Sequence, residues 1–554
     1  MDQATLKANH LKRLGALKVD RSTWESHWRD IVRQIRPRSS KWYNELSNDG
    51  RRKNQSIINA KPTLAARTLV AGLMSGLTSP SRPWFRLATV DSRLSEHDSV
   101  KTWLFQVEAE IRETLLKSNI YGALHQVYWD LILIGTAVLH LEDDAETHVR
   151  GYVFPSGSYC LAQNDKLEVD TLYRETRMTV RQLVRKFGLE ACSQQVQAKF
   201  KNREFEVWVD VVHAITPNED FREGKIGPAG KRFLSAWFEA TGDATKALRV
   251  SGYDEQPFLG PRWEQTGEDT YGNSPAMDAL GDCRALQSLE KKKGQVVAYI
   301  CNPPMKGPGS LANKPLGLLP GETTFFDGAA PGATFEPAYT IHPSALPAIA
   351  AEIREHEHRI DQTFYADLWL MLAQSDGNMT AREVIERREE KLLQLGPVVE
   401  SLHTQLLKPM FARIIGVLFR KGLLPPAPDE LRGQELKIEY TSIMAQAQKL
   451  LGKTGIDSLF TFVANAAQLK PDVLDKLDVD QIVDEYATIL GVPPVVVRPD
   501  DDVEAMRTKR AQAQQQQAQL AQAQQAATTA KDLSGASLEN SNALSEMLRG
   551  VGAR

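Results

Sequence analysis

Apolar side chains recur at helical spacing through the first 140 residues. Trp24, Trp28, Ile31 and Ile35 follow one another at intervals of four, three and four positions, and Pro37 ends the segment. That spacing places all four side chains on one face of a helix, so the tryptophans are interpreted as core residues. The same spacing predicts two further helices, through Leu64, Leu69, Leu73 and Leu77 and through Val100, Trp103, Val107, Ile111 and Leu115.

Between residues 149 and 263 the apolar pattern changes from helical spacing to alternation. Phe205, Val207, Val209 and Val211 occupy every second position, which predicts a strand with both faces partly covered. Further strands are predicted over residues 232–240 and 247–253, and a short helix over residues 178–187. This part of the chain is therefore expected to be a mixed helix-and-strand region.

Helical spacing returns at Ser274-Pro275, where a proline in the first turn is well placed to begin a helix. Apolar positions carry this helix toward the basic run Lys291-Lys292-Lys293. Residues 302–343 are rich in proline and glycine and so in turns, and residues 345–372 are again helical in pattern. The order is helix, compact insertion, helix.

A long helix is predicted to begin after the polar segment 373–379. Thr380 and Glu383 form a capping box, in which each side chain bonds to the backbone N–H of the other residue. The apolar stripe that follows is Leu392, Leu395, Val399, Leu402, Leu406, Met410, Ile414 and Leu418. Gly396-Pro397 and Pro409 are expected to bend the helix, because proline removes an intrahelical bond and clashes with the preceding turn.

Beyond Pro425-Pro426-Ala427-Pro428 the chain starts a new region, with helical patterns over residues 441–451 and 456–469. Residues 504–527 are almost wholly alanine and glutamine. These are good helix formers with little apolar surface to bury, so we expect a helix at the start and disorder after about Thr528.

Composition and charge narrow the functional classes. With 554 residues the chain exceeds the size of a single core, and 42% apolar and 25% charged residues are ordinary for a soluble protein. The net charge of −3 argues against a protein that grips nucleic acid through a basic face, and Arg51-Arg52-Lys53 is interpreted as a solvated loop in preference to a DNA patch. We expect no membrane span and no signal peptide, and four cysteines without metal or disulfide spacing indicate folding in a reducing cytoplasm.

The sequence contains near-matches to common enzyme motifs, but none of them has the residues at the spacing that the motif requires. Gly452-Lys453-Thr454 resembles the end of a phosphate loop, but Ala447 stands where its first glycine is needed, and the second near-match, at Gly230-Lys231, has Lys225 there. His356-Glu357-His358 lacks the i, i+4 histidine pair of a zinc helix and is interpreted as a charged, solvated helix face. Gly72 and Gly76 surround a serine that is one place late for a nucleophile elbow, and they indicate close helix packing. We therefore predict no catalytic site, cofactor or metal.

Several blocks, in order, resemble the head-to-tail connector or portal proteins of podoviruses, the short-tailed phages. They are Trp24 and Trp28 on the first helix, residues 72–80 before Arg82-Pro83-Trp84-Phe85, residues 271–276, residues 359–365, and the segment from Met379 through Glu383, Gly396-Pro397 and Leu407-Lys408-Pro409. The resemblance covers roughly residues 1–425. It implies an α+β, mostly helical fold, the phage portal fold with wing, stem, clip and crown, assembled as a ring.

The resemblance, read with the element order, implies a domain assignment. Residues 1–273 are the N-terminal helices and α+β wing, 274–300 the first stem helix, 301–344 the clip, 345–372 the second stem helix, 373–379 the tunnel loop, 380–425 the long kinked wing helix, 426–503 the crown, and 504–554 an Ala/Gln-rich helix and tail. It also implies a ring of twelve copies at one capsid vertex of the virion, formed from chains that fold and assemble in the host cytoplasm.

The implied function is a channel for packaging and ejecting double-stranded DNA and a docking site for other proteins. The implied partners are the terminase packaging motor, major capsid and scaffolding proteins, and tail adaptor proteins. Gln374, Ser375, Asp376, Gly377 and Asn378 are the candidate DNA-facing loop, without Lys or Arg, and Lys291, Lys292 and Lys293 are candidate channel-facing cations. The alternative function is a tail adaptor ring that bridges particle and tail without being the packaging vertex.

Overall fold

The computed structural model describes residues 3–39, 53–91, 98–240, 246–306, 336–338, 340–342, 344–373, 394–431 and 436–441, and further on 459, 461–463, 465, 479–483, 498 and 500–534. The chain divides into two compact units, residues 1–449 and 450–554. The first unit mixes helices and strands around one large apolar core.

Helices α1 (Gln3–Ile35), α2 (Lys61–Leu77), α3 (Asp98–Lys117) and α4 (Ile120–Ile134) confirm the predicted helical start. Trp28, Ile31 and Ile35 are fully buried, as their spacing predicts, whereas Trp24 is only partly buried. Helix α4 ends at Gly135, whose φ is +80°; a Cβ there would lie 2.1 Å from the carbonyl oxygen of Gly272. Only glycine combines that backbone conformation with so close an approach.

Two antiparallel sheets form the mixed region. One has the order β3–β2–β9, with β2 (Leu139–Asp144), β3 (His148–Val153) and β9 (Phe258–Leu259). The other is a five-stranded meander of β4 (Tyr159–Gln163), β5 (Val169–Thr179), β6 (Trp208–Pro217), β7 (Phe233–Glu239) and β8 (Arg249–Tyr253). Helices α5 (Val180–Phe187) and α6 (Gln194–Lys201) lie between β5 and β6 in sequence.

The predicted strand at residues 205–211 begins later than expected, at Trp208. The carbonyl oxygens of Phe205 and Val207 accept the N–H groups of Arg181 and Val180 at the start of α5, outside the ladder of β6. The strand continues to Pro217 because it pairs on both sides, with β5 and β7, and its later residues are buried.

Helices α7 (Pro275–Asp278) and α8 (Leu280–Cys301) precede the insertion, whose ends pair as β10 (Met305–Lys306) and β11 (Glu336–Pro337). The single helix expected over residues 345–372 is instead α9 (Ala345–Thr363) and α10 (Ala366–Ala373). The break falls at Tyr365, whose φ of +52° is the left-handed region that interrupts a right-handed helix. This corrects the prediction of one continuous helix.

In the described part of the predicted long helix, α11 (Gly396–Leu402) and α12 (Lys408–Arg420) flank a π-helical turn at His403–Leu407. Pro397 and Pro409 each lie in the first turn of an α segment, where the missing N–H costs no internal bond. The buried stripe Leu402, Leu406, Met410, Ile414 and Leu418 is as predicted.

Strand β1 (Phe85–Thr89) pairs antiparallel with β12 (Leu436–Tyr440). This pairing lies within the first unit, and the assignment of residues 426–503 to a crown stays a prediction. In the second unit, α13 (Asp500–Ser534) continues past Thr528, where we expected order to end. Its Arg507 forms a bidentate ion pair with Asp480, with N–O distances of 2.6 and 2.8 Å.

Candidate functional site

The predicted loop residues Gln374, Ser375, Asp376, Gly377 and Asn378 lie outside the described residues, as do Thr380 and Glu383. The structure describes the helices on either side, with α10 ending at Ala373 and the chain resuming at residue 394. The structure therefore shows the candidate site through the helices that precede and follow this loop.

Helix α10 is fixed to α2 by one close contact. A Cβ added to Gly72 would lie 2.1 Å from Cδ2 of Trp369, so the indole lies directly on the backbone of α2. Phe364 and Leu368 beside it are also buried. The glycines of residues 72–76 were predicted to mark close helix packing, and at Gly72 this is confirmed. Together with the break at Tyr365, the contact turns the chain from α9 onto α2 just before the loop.

Helices α8 and α9 pack together and are clamped at one end by the loop before α2. Asp282 Oδ1 accepts a hydrogen bond from His356 Nδ1 at 2.8 Å across the pair. Asn59 Nδ2 donates to Glu290 on α8 at 3.0 Å and to Glu357 on α9 at 2.9 Å. The His356-Glu357-His358 motif therefore makes structural contacts, and among the described residues no group of His, Cys, Asp or Glu could hold a metal ion.

Lys291, Lys292 and Lys293 follow this clamp on α8. Lys291 and Lys292 are exposed, whereas Lys293 is half-buried with its Nζ 3.7 Å from Glu290. Farther along the helix Val297 and Ile300 are 42% and 43% exposed. This end of α8 thus offers both positive charge and apolar surface to solvent in the single chain.

The π turn is held by two partners that are remote in sequence. Gln405 Oε1 accepts the backbone N–H and the Nε–H of Arg262, at 3.1 and 3.2 Å. On the other side, the ring of His403 stacks on Tyr440 with centroids 3.9 Å apart. Burial lowers the pKa of His403 to about 4, so this ring is neutral at pH 7. The sequence indicated a proline bend here but gave no signal for the π turn or for Arg262.

Helix α12 is fixed to the neighbouring β2 and β8 strands by a buried cation. Arg413 is 2% exposed, pairs with Glu255 at 2.8 Å and also bonds to Asp143 on β2. Its guanidinium carbon lies 5.1 Å from the ring centroid of Tyr253. Sequence reasoning missed Arg413 because it occupies an otherwise apolar helix and its partners are more than 150 residues away.

Titratable groups with perturbed pKa values are dispersed through the core of the first unit. The pKa of His213 lies well below 6.5, because of burial and then the positive groups His140, Arg174 and Lys186. Its ring stacks on Trp237 at 3.8 Å, and its Nε2 is 2.9 Å from Ser235 Oγ. Burial raises the pKa of Asp130, on α4, to about 8. His213 and Asp130 are buried core residues. No described helix is long and apolar enough to cross a membrane.

Comparison with known proteins gives consistent matches. The family model described as "Bacteriophage head to tail connecting protein" matches residues 7–497. The chain is 41% identical over 551 residues to the portal protein of Salmonella phage epsilon15, and 39% identical over 550 residues to the probable portal protein of Bordetella phage BPP-1. Each alignment covers 99% of both chains.

Two solved structures are also similar, both at 12% identity. They are a chain from the virion of the native gene transfer agent particle, with a TM-score of 0.30, and a chain from the neck of the empty particle, with a TM-score of 0.32. Each match covers 78% of this chain, and 89% and 90% of the other chain respectively.

Proposed function

The chain belongs to the family of bacteriophage head-to-tail connecting proteins, and on that premise we propose that it is a portal protein, a structural component of the virion at one capsid vertex. The observation that carries this proposal is the 41% identity to a portal protein over 99% of both chains. A match over the whole length favours a portal over the alternative, a tail adaptor ring, because we expect adaptor rings to be much smaller chains.

In this proposal, copies of the chain form a closed ring through heterologous contacts around an axial channel. Helices α8 and α9 form the stem, and residues 301–344 between them form the clip. The clamp of Asn59 on both stem helices and the exposed apolar end of α8 support this assignment. A ring of twelve, as the resemblance implies, is the copy number that we propose.

The loop Gln374, Ser375, Asp376, Gly377 and Asn378 is proposed to face double-stranded DNA. It contains no Lys or Arg, so it makes no strong phosphate contact, and the duplex can move past it without being held. The docking of Trp369 on Gly72 before the loop supports a fixed starting point for it. Lys291, Lys292 and Lys293 are proposed as channel-facing cations of the stem.

The clip is proposed to bind the terminase motor during packaging and tail adaptor proteins afterwards, and the wing to bind the major capsid and scaffolding proteins. The chain is proposed to act structurally and not as an enzyme, because both near-matches to a phosphate loop lack their first glycine. The energy for packaging then comes from the partner motor, and the ring is assembled in the host cytoplasm.

Native mass spectrometry of the purified chain tests the ring. We expect a closed assembly of about twelve 61.8 kDa subunits. A chain that stays monomeric at micromolar concentration at every salt concentration contradicts the proposal.

Immunoblotting of empty particles isolated before packaging separates the two candidate functions. A portal is present in those particles, whereas an adaptor ring joins only after the DNA has entered.

A further inference from the structure

A small pocket lies beneath Arg82-Pro83-Trp84-Phe85, a block of the sequence to which the proposed function gives no role. The segment 80–85 between α2 and β1 forms one side of it, and Arg112 of α3 and Tyr121 of α4 form the other. Its cavity volume is about 80 Å³, and it opens to solvent. The pocket is therefore large enough for the end of one polar side chain.

The guanidinium of Arg112 at this pocket is incompletely hydrogen-bonded among the described residues. Arg112 is half-buried, and its Nε is inaccessible to water and has no hydrogen-bond acceptor. Burial raises the pKa of the neighbouring Glu108, and the hydrogen bond that it accepts from the N–H of Leu87 at 2.6 Å and the charge of Arg112 both act against that rise. The carboxylate of Glu108 is therefore near Arg112, but it does not satisfy the Nε–H of Arg112. A buried charged donor without an acceptor is costly, so the arrangement is incomplete in the single chain.

The rest of the pocket wall is rigid and also presents hydrogen-bond donors. The indole N–H of Trp84 donates to the hydroxyl of Tyr121 at 3.2 Å, which leaves the proton of that hydroxyl free to point into the pocket. The ring of Trp84 is fixed by Phe85 and Phe411, with centroids 5.0 and 5.4 Å away. A preformed set of donors lowers the entropy cost of binding an acceptor.

We propose that this pocket binds the carboxylate of an acidic side chain from a neighbouring copy of the chain. The inference rests on the proposed ring, in which each copy presents a different surface to the next. A planar carboxylate matches the fork of a guanidinium. A duplex phosphate is flanked by sugars, so it approaches a small recess less readily than the free end of a side chain does. The chain supplies carboxylates in excess, with 70 Asp and Glu against 67 Lys and Arg.

The test compares full-length Arg112→Gln with wild type and with Arg185→Gln. Arg185 is an exposed arginine on α5 and is the matched control. Mass photometry follows ring dissociation as NaCl is raised. We expect the half-dissociation salt concentration of Arg112→Gln to fall to about half the wild-type value, because a partly desolvated pair is screened less than a surface pair. Arg82→Gln should shift in the same direction, and Arg185→Gln should not shift.

A role in folding alone is separated by the melting temperature of the dissociated chains. Because the Nε–H of Arg112 has no acceptor among the described residues, removing this group should leave that temperature equal or higher, whereas losing an internal contact lowers it. A cryo-EM map of the wild-type ring should show an acidic side chain of the adjacent copy within hydrogen-bond distance of Arg112. Wild-type rings with an unchanged Arg112→Gln dissociation curve, or a pocket filled by water or a free anion, overturn this inference and leave the proposed function standing. A wild-type chain that forms no ring overturns both.

Discussion

The contact between Gly72 and Trp369 gives a local prediction whose size follows from the geometry. In Gly72→Ala the new methyl group would lie 2.1 Å from Cδ2 and 2.2 Å from Cε2 of the indole. Carbon atoms in contact are about 3.5–4.0 Å apart, so the ring must retreat by roughly 1.5 Å. Overpacking of this kind costs about 1–3 kcal/mol, and a retreat of roughly 1.5 Å places the cost in the upper part of that range, about 2–3 kcal/mol. Alanine returns about 1 kcal/mol through its better helix propensity. The expected net loss is about 1–2 kcal/mol.

Hydrogen–deuterium exchange of the full chain measures this loss where it occurs. A loss of about 1–2 kcal/mol corresponds to amide exchange about 5–30 times faster, and we expect it in peptides covering α10. Gly15→Ala is the matched control, because Gly15 also lies in a helix but a Cβ there meets no atom within 4 Å. It should slow exchange slightly around Gly15.

A second substitution tests whether the indole is the cause. In Gly72→Ala combined with Trp369→Leu the smaller side chain leaves room for the methyl group. The loss of stability in the double variant should therefore be smaller than the sum of the losses in the two single variants. Unchanged exchange of α10 in Gly72→Ala, or strictly additive effects in the double variant, would refute the close packing of α10 on α2.

Three further outcomes are expected. Arg413→Ala removes the cation that pairs with Asp143 and one of the two arginines that pair with Glu255, which keeps Arg420. The chain should therefore lose about 1–3 kcal/mol in thermal unfolding, whereas Arg185→Ala should lose almost nothing. The folded-state pKa of His403, about 4, is below the ordinary 6.5, so the unfolded chain binds the proton first as the pH falls. The stability of the chain should therefore fall as the pH drops from about 6.5 toward 4. His403→Phe keeps a ring on Tyr440 and should show a shallower fall in melting temperature over that range. Replacing Gln374 and Asn378 by Lys should steepen the salt dependence of DNA retention by about one unit per new phosphate contact, and an unchanged slope would show that the loop does not touch DNA.

The sequence alone predicted the helices and strands in which regularly spaced apolar residues mark one buried face. The stripe ending at Ile35, the strands β7 and β8, and the helix α5 were all found close to their predicted positions. In each case the periodic apolar positions are neighbours along the chain, so a short window of sequence contains the whole signal. Gly72 was also interpreted correctly, because two glycines one turn apart, Gly72 and Gly76, give a helix a surface on which another side chain can pack closely.

The features that sequence did not predict depend on partners that are distant in the chain. The π turn at His403–Leu407 is held by Arg262 and Tyr440, and neither of them is near it in sequence. Tyr365 breaks a continuous helical pattern in a left-handed conformation that tyrosine rarely adopts. The pocket beside Arg112 likewise combines residues of three separate elements. The loop and cap residues from Gln374 to Glu383 stay predictions.

The pairing of β1 with β12 has a consequence for synthesis on the ribosome. About 350 residues separate Thr89 from Leu436, yet the two strands are the only partners of one another in the described sheets. At roughly 5–20 residues per second, the edge of β1 waits roughly 20–70 s for its partner to be translated. Until then the nascent chain carries an unsatisfied strand edge, which is a site where another nascent chain can pair wrongly. The first unit therefore cannot complete its strand pairing until nearly all of it has been translated. Truncated chains that end before residue 436 should be selectively captured by chaperones.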